Sequence, residues 1–115
     1  MGLPKQQEAS REIDQMVENA KRATEFLKAL AHESRLMMLC ILAEGEKSVT
    51  ELEQLLELRQ PTVSQQLARL RADGLVAARR DGKAIYYTLA SEEARVILAA
   101  VYEVFCGKKR VSASS

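Results

Sequence analysis

Apolar residues between positions 11 and 30 fall at Ile13, Met16, Val17, Ala20, Ala23, Phe26, Leu27 and Leu30. Spacings of three and four put them on one face of a helix, so a long amphipathic helix is expected over Arg11–Leu30. Residues 1–10 are polar and expected to be loose. A second helix is expected from His32 to Ala43, with Leu36, Leu39, Cys40 and Ala43 on one face and Gly45 ending it. Ser48 then has the form of an N-cap, with Glu51 three residues on as its capping-box partner. The short helix behind it carries Val49, Leu52, Leu55 and Leu56. Pro61 suits the first turn of a fourth helix, which places Val63, Leu67 and Leu70 on its inner face and closes at Gly74.

The period then changes. Leu75–Arg80 and Lys83–Leu89 read as strands, the second alternating Ile85, Tyr87 and Leu89 with Ala84, Tyr86 and Thr88. Asp81-Gly82 between them is a two-residue hairpin signal, since both turn positions favour positive φ. Ser91 opens a last helix with Ala94, Ile97, Leu98, Val101, Val104 and Phe105 on its inner face, ended by Gly107. The fold expected is mainly α, a winged helix-turn-helix of five helices and a β-hairpin in the order ααααββα. Residues 11–107 form its one domain, and 108–115 a basic, flexible tail. The first and last helices are long and apolar for so small a chain. They suggest a surface kept for a second copy, with Met16, Ala20, Ala23, Leu27, Ile97, Val101 and Val104 on it.

Composition narrows the function. At 115 residues and 47% hydrophobic, the chain is long enough to bury a core without disulfides. Its 17 basic and 16 acidic residues nearly cancel, so an argument for nucleic acid must come from where the charges sit. No apolar run has the length of a membrane span and the N-terminus has no signal-type segment, so a cytoplasmic location away from membranes is expected. No paired carboxylates, nucleophile–base pair or phosphate loop suggests an enzyme, and no cofactor is expected.

The polar face of the fourth helix carries the clearest chemistry. Gln60, Thr62, Ser64, Gln65, Gln66 and Arg69 cluster toward its N-terminal half, the part of a recognition helix that enters the major groove. Glutamine can pair with adenine, hydroxyls reach bases or phosphates, and arginine anchors the backbone. Any surface helix has a polar face, but Asp73 is the only acid between Gln60 and Val76. The hairpin tip adds Arg79, Arg80 and Lys83, cations suited to a phosphate backbone. Double-stranded DNA is therefore the expected partner. A helical dimerisation module with no role on DNA is the rival from another class.

Three segments, FLKALAHESRLMMLCIL, SVTELEQLLELRQPTVSQQLARLRADGLV and RRDGKAIYYTL, resemble in order and spacing the ArsR family of bacterial repressors. The resemblance spans Phe26–Leu89. It implies a homodimer built on the first and last helices, bound to inverted-repeat operators and released by an inducer. Metal is a poor inducer for this chain. The third helix has no cysteine, the last has no histidine, and one histidine with two cysteines is a thin ligand supply for zinc. His32 reads as a cap or packing residue.

Cys40 and Cys106 remain. On residues alone Cys40 reads as a packed core thiol. Cys106 stays open, because the helix dipole opposes a thiolate there while Lys108, Lys109 and Arg110 favour one. LMMLCIL and YEVFCGK resemble the sulfide-responsive branch of the family, the SqrR, BigR and HlyU type. That resemblance implies that Cys40 and Cys106 sense persulfides and become bridged within one protomer by a disulfide or polysulfide. Cα atoms farther apart than about 7 Å would need the extra sulfur or backbone movement. The alternative is a repressor answering another oxidant, arsenite or another ligand, with structural cysteines.

Overall fold

A computed structural model describes residues 5–107. Five helices and three strands follow in the order α1 (Lys5–Leu30), α2 (Glu33–Glu44), β1 (Lys47–Ser48), α3 (Val49–Leu56), α4 (Gln60–Ala72), β2 (Val76–Asp81), β3 (Ala84–Leu89) and α5 (Glu92–Phe105). This is the winged helix-turn-helix expected, with one strand added. The basic stretch 108–115 lies outside the described residues.

The caps explain the boundaries. His32 Nδ1 accepts from the Ser34 N–H at 3.2 Å and starts α2, the structural role expected for the lone histidine. Ser48 and Glu51 form a reciprocal capping box on α3. Ser91 Oγ accepts from Ala94 N at 3.0 Å and starts α5. Glu57 closes α3 in the left-handed region at φ 55°, and Leu58 N reaches back to Glu53 O. That turn swings the chain from α3 into α4.

Three boundaries differ from the sequence reading. Helix α1 starts at Lys5, so residues 5–10 extend it rather than forming a loose segment. These polar residues are good helix formers, and lengthening an existing helix needs no new nucleus. The hairpin turn is Gly82-Lys83, not Asp81-Gly82, because Asp81 still pairs with Ala84. Only its first position, Gly82 at φ 66°, has positive φ, the pattern of a turn with glycine leading. Strand β1 was not foreseen. Two residues are too short to show a period, yet Lys47 and Ser48 pair with Tyr87 and Tyr86. The antiparallel sheet therefore runs β1-β3-β2.

The core sits where α2, α3, α4 and the base of the wing meet. Met38, Leu39, Leu52, Val63, Leu67 and Leu70 are fully buried, joined by Leu42, Leu75, Val76, Leu89, Ala94 and Leu98. Met38 and Leu42 are core residues that the one-face reading of α2 passed over. That reading assumed one neighbour, whereas α2 packs against α1, α3, α4 and α5 at once. Helix α1 joins the core only through its C-terminal end, at Phe26, Ala29 and Leu30. The Cα radius of gyration, 18.7 Å, far exceeds the roughly 13 Å of a compact chain of this length.

Candidate nucleic-acid interface and thiol pair

Helix α4 buries Val63, Leu67 and Leu70 against the core and turns its polar residues outward. Pro61 stands in its first turn, where its missing N–H costs nothing. Gln65 and Arg69 are exposed, and Thr62, Ser64 and Gln66 half-buried. Two of these side chains are already engaged along the helix. Gln60 Nε2 donates to Ser64 Oγ at 2.6 Å. Arg69 pairs with Asp73 at 3.1 Å, an exposed contact of small energetic weight.

Gln66 has a partner the sequence did not suggest. Arg35, on α2, donates through Nη1 to Gln66 Oε1 at 3.2 Å. The same guanidinium donates to Ala29 O at 2.7 Å and Lys28 O at 3.0 Å, both at the end of α1. Arg35 thus ties three helices together. The contact spans 31 positions in sequence, beyond any local pattern.

On the wing, the three expected cations differ. Arg79 makes a two-pronged pair with Glu46 at 2.7 and 2.8 Å, lies 3.8 Å from Asp81, and stacks 4.5 Å from the centre of the Tyr86 ring. Its hydrogen bond to Glu46 holds that carboxyl below its ordinary range. Arg79 therefore braces the wing against the segment leading into β1. Among the described residues neither Arg80 nor Lys83 forms an ion pair, so these two carry the wing's uncommitted positive charge.

One cysteine stands on α2 and the other at the end of α5. Cys40 is half-buried and Cys106 exposed, at the C-cap of α5, and both are free thiols. Cys40 lines a groove of about 670 Å³ between α2 and α5, with Ala43, Glu44, Arg95, Leu98, Tyr102 and Glu103. Burial raises the Cys40 pKa above its ordinary value, and negative charge on Cys106 and Glu44 raises it further. Among the described residues no three His, Cys, Asp or Glu side chains gather as a metal site.

The surfaces proposed for a second copy are apolar and open. Met16 is 67% exposed, Leu27 55%, Ile97 37% and Val104 63%; Ala20 and Ala23 are exposed as well, and Val101 half-buried. Phe105, also read as inner, is 79% exposed. No described helix is long and apolar enough to cross a membrane.

A helix-turn-helix with an outward polar face, followed by a cation-tipped hairpin, defines a winged-helix DNA-binding regulator. Comparison with known proteins agrees. The profile of the bacterial regulatory protein arsR family matches residues 32–78. The biofilm growth-associated repressor of Agrobacterium fabrum is 54% identical over 89 residues, 75% of this chain and 76% of that protein. Reduced HlyU from Vibrio cholerae superposes with a TM-score of 0.78 at 42% identity, over 80% of this chain and 97% of that one. A homodimeric winged helix-turn-helix DNA-binding domain from Mycobacterium bovis, a possible ArsR-family regulator, gives 0.70 at 32% identity over 84% and 88%. The chain belongs to the ArsR family of bacterial transcriptional regulators, and within it to the branch of BigR and HlyU. Its relatives are DNA-binding regulators, not enzymes.

Proposed function

We propose that this chain is a homodimeric repressor that holds an inverted-repeat operator while Cys40 and Cys106 are reduced, and lets go when a persulfide joins them. The observation that supports the thiol half is the placement of a half-buried Cys40 on α2 and an exposed Cys106 at the end of α5, helices that pack together. The repressor half is supported by the A. fabrum relative, which is a repressor. Support for the dimer comes from the M. bovis homodimer and from the open apolar faces of α1 and α5.

The chemistry begins at the accessible thiol. Cys106 as thiolate attacks the outer sulfur of a persulfide R–S–SH, giving Cys106–S–SH and releasing R–S⁻. Cys40 then attacks the inner sulfur of Cys106–S–SH, forming the Cys40–Cys106 disulfide and releasing hydrogen sulfide. The two cysteine sulfurs are oxidised, and the outer sulfur of the persulfide is reduced to sulfide. If Cys40 has itself become a persulfide, the same attack leaves a trisulfide and again releases hydrogen sulfide. Cys40 is half-buried and Cys106 exposed, so Cys106 meets the persulfide first and Cys40 is the later partner.

Bridging ties α2 to the end of α5. Helix α5 also carries interface residues Ile97, Val101 and Val104, so the tie alters how two recognition helices are presented. Operator half-sites sit about 34 Å apart, and a misfit costs affinity at both together. On the DNA side, Gln60, Thr62, Ser64, Gln65, Gln66 and Arg69 face the major groove, and Arg80 and Lys83 lie on phosphates. Arg79 adds its charge from behind its pair with Glu46.

Intact-mass spectrometry with each cysteine replaced in turn tests this. Persulfide treatment of the wild type should remove two hydrogens, with or without one added sulfur, while Cys40→Ser and Cys106→Ser keep DNA binding but lose the response. Release of DNA by treated Cys106→Ser would refute the bridge.

A further inference from the structure

Arg35, on α2, is half-buried, carries a fixed charge and spends its donors on three acceptors in two other helices. Two are backbone carbonyls at the end of α1, where carbonyls have no partner further along their own helix. The third is Gln66 on α4, within the segment that faces DNA. A guanidinium has only donors, so the Gln66 atom it meets must be the carbonyl oxygen. Both N–H groups of the Gln66 amide therefore remain to be used, while its oxygen is held toward Arg35 through one of its two lone pairs.

We propose that Arg35 is a positioning residue for DNA recognition: it fixes α4 to the end of α1 and holds the Gln66 amide by its oxygen, so that Gln66 meets DNA foremost with its N–H groups. The consequence is a division of labour between neighbouring glutamines. Pairing with adenine through two hydrogen bonds needs one donor and one acceptor on the same amide. Exposed Gln65 keeps both. Gln66 has its oxygen held by Arg35 and both N–H groups unused, so it best suits phosphate oxygens, guanine N7 and O6, or thymine O4. Helix α1 also bears the proposed dimer face, so the clamp sets the recognition helix against the element that fixes half-site spacing. The proposal rests on the reading of α4 as the recognition helix and is independent of the cysteines.

The test is a double-mutant cycle on the full chain, at one salt concentration. The probes are a duplex selected by the wild-type protein from a random-sequence pool, and a scrambled duplex of equal length. Arg35→Lys keeps a charge and donors for the α1 carbonyls but lacks the planar fork that also reaches Gln66. Gln66→Met keeps the bulk of the side chain and removes its polar atoms. Each variant should weaken binding to the selected duplex about tenfold, the scale of one charge-assisted hydrogen bond. The double variant should also lose about tenfold, not about a hundredfold, because both changes break the same link. Scrambled-duplex binding should hardly move. Selection repeated with Arg35→Lys should shift toward adenine at the base nearest Gln66, whose oxygen is no longer held away toward α2.

Fully additive losses, or an Arg35→Lys variant with unchanged specific affinity, would overturn the clamp. Gln65→Ala separates the two readings. If it weakens specific binding while the cycle is additive, only the clamp fails. If neither glutamine matters, the recognition-helix reading fails and the clamp with it.

Discussion

The centre of the molecule and its two terminal helices use the same apolar periodicity to opposite ends. In α3 and α4, Leu52, Val63, Leu67 and Leu70 are all fully buried by the chain itself. In α1 and α5, Ile13, Met16, Val17, Leu27 and Phe105 recur at similar spacings yet face outward. A periodic stripe shows that a helix will cover one face. It does not say whether the cover is the same chain or another, and large apolar surfaces left open are where partners bind.

Truncation at matched positions breaks or sharpens this contrast. Leu67→Ala should cost about 2–5 kcal/mol of stability by emptying a sealed site, read by urea unfolding. At Met16 the same truncation should leave the monomer's stability nearly unchanged and instead weaken the dimer, so that the part of the stability that grows with protein concentration shrinks. Equal losses at both positions would mean that α1 is core after all.

Charge on the terminal face should strike DNA binding next. Met16→Glu with Leu27→Glu should yield a folded monomer by analytical ultracentrifugation. Its affinity for a two-half-site duplex should fall about a hundredfold or more, the gain that linkage of two weak sites gives. A dimer that persists would place the interface elsewhere.

The thiols contrast the same two regions, one cysteine half-enclosed and one open. Iodoacetamide at neutral pH should modify Cys106 well before Cys40, followed by peptide mass spectrometry. The Cys40 rate should climb only at more alkaline pH than for an ordinary cysteine, because burial and nearby negative charge disfavour its thiolate. The sign for stability follows. A raised pKa favours the neutral thiol in the fold, so this contribution is complete below the unfolded pKa and fades as pH rises through the folded one.

Glu46→Gln should give the smallest change. It releases Arg79 and removes one negative charge beside the wing, so binding to DNA of any sequence should tighten a few-fold. The salt dependence should steepen by about one phosphate contact. Unaltered salt dependence would leave Arg79 a brace only. The folded Glu46 pKa is lowered, so the pair is present above the unfolded carboxylate value and is lost as pH falls through the folded one.

Much of this was legible in the sequence because it is local. The capping box at Ser48 and Glu51, the His32 cap, the inner face Val63, Leu67 and Leu70, and the wing each lie within a few residues. The interactions that were not legible join distant positions. Arg35 meets Gln66 across 31 positions, and Arg79 meets Glu46 across 33, through a two-residue strand with no period to read. The turn at Gly82-Lys83 slipped by one because Asp-Gly signals a turn without fixing which residue begins it. The relation of Cys40 to Cys106 also needs the fold, since one stands on α2 and the other at the end of α5, helices that meet only in three dimensions.

Fluorescence anisotropy on the selected duplex, at fixed salt, tests the central claim most directly. Reduced protein is compared with protein treated by a persulfide donor and then by reductant. The account predicts tight binding when reduced, loss on treatment and recovery on reduction. Tight binding that persists through treatment would contradict it, leaving Cys40 and Cys106 as packed thiols in a regulator that answers to another inducer.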